Sequence, residues 1–592
     1  MSNSFSSPDK EKAFEVDVAS AERASSNGSY TPLPDSRLHR ELKNLTLLLF
    51  SIGGVIGTGL FLGTGSALMN GGPLGLLLGY MFIGSICYCV MITIGEMISY
   101  LPIAGGHIKL AERFVDPAFS FALGWNLWYN WTVTLPAELS AAATILNFWH
   151  PDVNNAVWIT MCLVVAIGIN LSGVGVYGET EFMSIKVVTI VGLIILGIVL
   201  DLGGGPNHDR IGFRYWKDPG PFVQFYGISG ITGRFLGWSR VVTQAAFAYV
   251  GSEVVAMAAA EAKNPRRNLP KAIRRVYIRL LLFYIGGVFV IGLLVPSNNP
   301  LLNVNSSNAS ASPFVIAINQ AGIKGLPSVI NAALLTSAWS AASSDLYIAS
   351  RGLYGLAVSG NAPKIFLRTS RSGLPYVAVA TCASFSLLAY MAVNTSSGMV
   401  FTWFSSMCAT AGLTTWFGIG VIYLRFRKGF LAQGHRTLEL PYSSRLQPFA
   451  AWWAVCASLV TLLFSAWEVF LRDNWSAATF MTNYLPMMLF PVLYGIAKVV
   501  KRVPLVKPSE MDFHSDIAEI EAMTYADERP RNIVEAFWMR LGGGLRGRRF
   551  RARLKHWLHQ SATHGGGEPL FAPVSGNSAH SRAQSAVASE TS

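Results

Sequence analysis

Charge is what this chain has least of. Asp, Glu, Lys and Arg make up 13% of its 592 residues, where a soluble domain carries roughly 25%. So small a share cannot furnish the surface of an ordinary soluble globular protein, and that class is excluded. Cysteine is sparse too: Cys87, Cys89, Cys162, Cys382, Cys408 and Cys456 are the only six. All lie in apolar runs, so they indicate neither a disulfide framework nor a zinc site and read as packing residues. No nucleotide loop, metal-ligand cluster or nucleophile motif is present. GTGLFLGTG at 57–65 lacks the following Lys and the strand context of a phosphate loop, so neither an enzyme nor a cofactor or metal is expected. Acidic residues are the scarcer sign, 33 against 46 basic, for a net charge of +13. In a membrane chain that excess reflects topology and affinity for the anionic inner leaflet rather than nucleic acid.

Long apolar runs are what the chain has in abundance. Apolar residues make up 51% and the mean hydropathy is +0.39, which identifies an integral membrane protein. Runs recur at Leu45–Leu68, Leu74–Ser99, Phe119–Phe148, Val157–Leu171, Phe182–Leu202, Val241–Ala260, Leu280–Val295 and Ser328–Ala349. Four more follow at Tyr376–Val393, Met399–Leu424, Phe449–Phe470 and Tyr484–Val500. Most reach the ~20 residues of a spanning helix, giving about twelve spans. The expected organisation is a cytosolic N-terminal tail at 1–44, a transmembrane transporter domain at 45–500 and a partly disordered cytosolic C-terminal tail at 501–592. The N-terminal tail has no apolar core flanked by a cleavage site and reads as soluble rather than as a signal peptide.

The basic residues set the orientation. With the N-terminus inside, inner loops carry Lys109 and Arg113, then Lys263, Arg266, Arg267, Lys271, Arg274 and Arg275, then Lys364, Arg368 and Arg371, then Arg425, Arg427, Lys428, Arg436 and Arg445. Outer loops are poorer, so both termini are expected in the cytosol. The glycosylation acceptors Asn305, Asn308, Asn394 and Asn474 fall in predicted outer loops and agree, with the low weight that such short motifs carry.

Glycine in a helix interior costs roughly 1 kcal/mol relative to alanine, yet SIGGVIGTGLFLGTG places Gly53, Gly54, Gly57, Gly59, Gly63 and Gly65 in the first span. Close helix packing through GxxxG is one explanation. A helix interrupted inside the membrane, with backbone groups free to hold a charged small molecule, is the other. The sixth span favours the second: AAFAYVGSEVVAMAAAEAKNPRRNLPKAI holds Gly251, Ser252 and Glu253 near its middle. Breaks in the first and sixth spans are what an inverted repeat of about five helices places in equivalent positions. A half-helix starting after Gly57-Thr58-Gly59 aims its N–H groups at a carboxylate. Carbonyls around Gly53 and Phe247 to Val250 accept from an ammonium group, so the pattern points to a zwitterion.

At these residues the chain resembles the fungal amino-acid permeases of the amino acid, polyamine and organocation transporter superfamily. The likeness runs from about Arg40 to Arg502 and on to EAFW, through IGGVIGTGLFLGTGSAL, ITIGEMISYLPIAG, LPAELSAAA, YGETEFMSIKVVTIVGLIIL, EAKNPRRNLPKAI and LLTSAWSAASSDLYIASRGLYGLA. It implies an all-α fold of two inverted five-helix repeats plus two extra helices, with helices 1 and 6 broken, importing L-amino acids with protons across the plasma membrane. It carries carboxylate binding onto Gly57, Thr58 and Gly59, and amino-group contacts onto Ile52, Gly53, Phe247, Ala248 and Val250. Ser252 departs from the threonine that many relatives have after the glycine. Lys10 and Lys12 are implied ubiquitin acceptors, with a ubiquitin ligase or adaptor as partner. Relatives commonly end near Phe-Trp-Cys, whereas Phe537-Trp538 is followed here by Met539, so a basic amphipathic tail is left to meet membrane lipid.

Charges inside a membrane are costly and default to functional candidates. Lys186, in FMSIKVVTI, is read as a proton carrier, with snorkelling to the inner interface as the alternative. Glu138 and Glu253 are the acidic coupling candidates, the alternative being a structural bond to unwound backbone. Glu96 and Asp345 are taken as packing or gating anchors near the inner ends of their spans. Ser340, Ser343, Ser344, Ser406 and Thr410 are nominated as pocket polars. The outer-loop run GGGPNHDRIGFRYWKDPGPF is similar to dicarboxylic and broad-range permeases and hints at glutamate or aspartate. A general or neutral amino-acid permease, and a non-transporting amino-acid receptor on the same fold, are the alternatives.

Overall fold

A computed structural model describes residues 57–103, 105–171, 175–254, 273, 276–303, 312–370, 373–471, 474–515 and 517, with backbone alone at 175–184 and 438. Ile52, Gly53, Lys10, Lys12, Asn305, Asn308, most of the basic segment at 263–275 and the tail around Phe537 lie outside the described residues. All described residues belong to one compact unit, Met1–Glu528.

The fold is helical, with no strand among the described residues. Each apolar run read from the sequence is largely helical where it is described, the exceptions including 250–253 and 464–466. Pro117–Leu146, Asn155–Leu171, Gly175–Asp201, Gly230–Tyr249 and Gly286–Leu294 cover the runs of the first half. Leu326–Val358, Tyr376–Phe385, Ser397–Ala432, Phe449–Leu463 and Ala477–Lys501 cover those of the second. Gly59–Tyr100, Val276–Leu294, Tyr376–Val393, Ser397–Ala432 and Ala477–Lys501 are long and apolar enough to cross a membrane.

Local chemistry sets the helix boundaries. Pro117 occupies the first position of its helix, where no N–H is needed, and the Asp116 carboxylate accepts from the N–H of Phe119 at 2.7 Å. Ser396 and Ser476 cap their helices in the same way, accepting from Met399 and Thr479. At Gly72 the first two apolar runs meet without a loop: φ of +75° turns the chain there, and Pro73 begins the next segment. The segment around Pro221 closes over this junction, as Leu74 N–H donates to Pro221 O at 3.0 Å and Val223 N–H to Gly71 O at 3.3 Å.

Two packing relationships centre the bundle. Thr64–Tyr100 lies against Gly230–Tyr249, and Pro117–Leu146 lies between Leu326–Val358 and Ser397–Ala432. Small residues permit the first: a Cβ on Gly79 would stand 2.6 Å from Cγ1 of Val241, the close approach by which helices attract in lipid. Glu96 is an anchor between elements, accepting from the Tyr423 hydroxyl and from the Ser444 N–H at 2.6 Å. Asp116 is another, bonded to Lys498 Nζ at 2.7 Å and to the Tyr494 hydroxyl at 3.1 Å. Among the cysteines, Cys456 is exposed and packs against nothing internal, unlike the buried Cys87, Cys162, Cys382 and Cys408. A lipid-facing helix accounts for it, because there an apolar thiol needs no protein neighbour.

Candidate functional site

The Gly230–Tyr249 helix stops inside its apolar run. Val250 turns to ψ 143° while its N–H makes the last rung to Ala246 O at 3.1 Å. Gly251 then adopts φ +90°, a left-handed conformation that a side chain would strain. Ser252 N–H turns back to Tyr249 O at 3.3 Å, and Val254 N–H to Gly251 O at 3.1 Å. The carbonyls of Phe247 and Ala248 are left without a backbone donor among the described residues.

Hydrogen bonds to three other segments clamp this interruption. Arg279 Nη2 donates to Ser252 Oγ at 2.8 Å, and Ser252 Oγ donates to Tyr249 O at 2.8 Å. The Tyr249 hydroxyl donates to Tyr80 O at 2.9 Å. Trp416 Nε1 donates to Glu253 Oε2 at 3.0 Å. Arg279 is only 1% exposed, so its charge is spent inside the bundle. The hydroxyl at 252, common to serine and threonine, is one of the groups that receive it, beside the Tyr284 ring.

Opposite the interruption stand Gly57, the buried Thr58 and a single π-type turn, Gly59–Gly63, that leads into the Thr64–Tyr100 helix. A Cβ on Gly59 would meet Phe247 Cδ1 at 2.8 Å and Ala248 Cα at 3.1 Å. One on Gly57 would meet Glu138 Oε1 at 3.0 Å. The glycines are therefore where the two segments touch each other and the Glu138 carboxyl.

Between them lies a small cavity, partly open to solvent. Gly57, Gly59, Phe247, Ala248, Val250, Gly251 and Val254 form one side. Trp131, Thr134 and Glu138 come from one face of the Pro117–Leu146 helix, and Ala341, Ser344, Asp345 and Ile348 from one face of Leu326–Val358. Phe247 meets Phe401 edge-on at 5.7 Å.

Charge gathers at one end. Glu138 faces the Gly57–Thr58 turn, and the Lys186 ammonium acts on both Glu138 and Asp345. Lys186 is 3% exposed. Oε2 of Glu138, Oδ2 of Asp345 and Oγ1 of Thr58 are buried without a hydrogen-bond partner among the described residues.

Of the residues singled out in the sequence, Gly57, Gly59, Glu138, Phe247, Ala248, Val250 and Ser344 come together around this cavity, with Thr58 and Lys186 adjoining. Glu253 does not line it. Ser344 borders the cavity but donates to Ser340 O at 2.9 Å, and Thr410 likewise bonds its own helix at Ser406 O. Asp345 corrects the sequence reading: it is no anchor near the inner end of a span, because the helix runs on to Val358 and leaves it well inside. Trp131, Thr134 and Arg279 went unnoticed. The 341, 344, 345, 348 spacing was the available signal for Asp345, since it shares a helical face with Ser344.

An all-helical membrane protein of transporter type is the class these features define. A manganese transporter of Eremococcus coleocola has a similar fold, with TM-score 0.51 at 12% identity, covering 80% of this chain and 99% of that one. The family described as amino acid permease matches residues 46–508, and the chain belongs to it. It is 42% identical to the proline-specific permease of Emericella nidulans, over 84% of this chain and 92% of that protein. The dicarboxylic amino acid permease of Saccharomyces cerevisiae is 39% identical, over 81% and 80%. The lysine-specific permease of the same yeast is 37% identical, over 85% and 83%.

Proposed function

We propose that this permease is a proton-coupled symporter that imports L-amino acids across the plasma membrane. In this reading residues 45–500 are the transporter domain, about twelve spans in two inverted five-helix repeats plus two helices. The segments 1–44 and 501–592 are cytosolic tails, open to lipid and to ubiquitin ligases. The substrate carboxylate lies at Gly57, Thr58 and Gly59, and its ammonium group at the carbonyls of Phe247, Ala248 and Val250 together with Ile52 and Gly53. Phe247 covers it and Ser344 borders it. Lys186 and Glu138 exchange the proton.

The observation that carries this reading is the contact of Gly59 with Phe247 and Ala248 beside a buried Lys186–Glu138 pair. Backbone ends meet there with a titratable cluster at their flank, the combination that coupling a zwitterion to a proton requires. Glu253, the third coupling candidate, is held by Trp416 outside the cavity, which favours a part in fixing the break.

The cavity bears on substrate class. Its described lining offers two carboxyl groups, aromatic rings and small apolar side chains, and no guanidinium. A second substrate carboxylate would meet two carboxyl groups, Glu138 and Asp345, that already share the Lys186 ammonium, so a neutral side chain is favoured over glutamate or aspartate, as in the general-permease alternative. Uptake of labelled proline, glutamate and lysine into cells lacking their own permeases, with and without a protonophore, tests both points. Protonophore-sensitive proline uptake supports the reading. Surface expression without any uptake favours a receptor.

A further inference from the structure

We propose that Asp345 and Glu138 share a single proton beside the Lys186 ammonium, and that this shared proton is the one carried inward with the substrate. The inference rests on the proton-coupled reading above and adds Asp345 to it as the second carboxyl.

Three observations carry it. First, Asp345 is buried and borders the same cavity as Glu138, from the opposite helix. Second, Glu138, Lys186 and Asp345 act electrostatically on one another. Third, Glu138 Oε2 and Asp345 Oδ2 are both buried without a hydrogen-bond partner among the described residues.

Fully ionised, the cluster holds two buried carboxylates against one ammonium among the described residues, leaving one uncompensated negative charge. Buried charges of that kind are neutralised by proton uptake rather than tolerated. One added proton balances the cluster, and neither carboxyl owns it. The step is a plain proton transfer: an O–H bond forms on one carboxyl oxygen with a proton from the outer solution, and breaks when the site opens to the cytosol. The charged or titratable groups facing Asp345 from the packed helices are Glu138 on Pro117–Leu146, Lys186 on Gly175–Asp201 and Cys408 on Ser397–Ala432. The Cys408 thiol is engaged with Thr134 Oγ1 at 3.0 Å, which leaves the two carboxyls as the exchanging pair.

The test uses the full chain in proteoliposomes, with labelled L-proline, L-glutamate and L-lysine assayed singly. Two readouts are taken: accumulation driven by an inward proton gradient, and counterflow exchange without one. Asp345→Asn is expected to lower gradient-driven accumulation far more than exchange and to remove its dependence on outside pH. Asp345→Glu is expected to restore accumulation with a displaced pH midpoint, which guards against a folding defect. If Asp345→Asn accumulates substrate with the wild-type pH profile, Asp345 is not a holder of the proton and the proposal fails. The proposal fails equally if exchange and accumulation are lost together in both variants, since Asp345 then serves the substrate or the fold. If the wild-type protein exchanges but never accumulates under the gradient, proton coupling itself is wrong, and the variants are not needed to say so.

Discussion

Gly59 and Phe247 stand so close that a single added methyl group would collide: a Cβ on Gly59 falls 2.8 Å from Phe247 Cδ1. The ring could swing aside, but Ala248 Cα at 3.1 Å is backbone and cannot. Gly59→Val is therefore expected to abolish uptake while leaving the amount of protein at the cell surface unchanged. Gly57→Val, which presses on Glu138 Oε1, is expected to do the same. Surface biotinylation beside an uptake assay checks both, and normal uptake by either would remove the glycines from the substrate site.

Lys186→Ala takes away the one cation that acts on Glu138 and Asp345 among the described residues. The variant is expected to stop concentrating substrate against its gradient. Continued accumulation, measured as the ratio of internal to external label, would exclude Lys186 from the coupling machinery.

Glu253 offers a contrast. Glu253→Gln keeps an oxygen to accept from the Trp416 indole, and uptake driven by protons is expected to survive it. Glu253→Leu leaves the indole N–H buried without an acceptor, a loss of about 1–3 kcal/mol, and is expected to lower uptake sharply. Loss of accumulation in Glu253→Gln with exchange retained would instead return Glu253 to a coupling role.

Asp116 is buried and caps the Pro117–Leu146 helix, with Lys498 as its cationic partner. Lys498→Met strands that carboxylate. Removing one partner of a buried pair costs roughly 3–5 kcal/mol, and the partial exposure of Lys498 places the expected loss at the lower end. Thermal unfolding of the detergent-solubilised protein should fall accordingly, and Asp116→Asn with Lys498→Met should recover part of it. An unchanged melting temperature for Lys498→Met would show that water or Tyr494 already satisfies Asp116.

The apolar runs made the helices legible, because in a membrane a long apolar stretch has few other fates. The break at Val250–Glu253 was legible for a similar reason: Gly-Ser-Glu inside such a run contradicts a continuous lipid-facing helix. What stayed hidden were charges that pair across the bundle. Ending one run before Arg351 put Asp345 close to a helix end, yet the helix continues through Arg351, which lies 3.6 Å over the Tyr347 ring. Beginning another run at Leu280 left out Arg279, which is buried against Ser252. Where a hydropathy run is ended at a charge, the segment alone does not reveal whether that charge meets water or a partner on another helix.

Joint uptake of an amino acid and a proton at the cavity between the Gly57–Gly63 turn and the Val250–Glu253 break is tested by proline uptake into cells lacking their own permeases, measured while the outside pH is recorded in unbuffered medium. Accumulation of proline with simultaneous alkalinisation of the medium is expected, both absent in Gly59→Val. Accumulation without alkalinisation, or equal uptake by wild type and Gly59→Val, would rule that coupling out at this cavity.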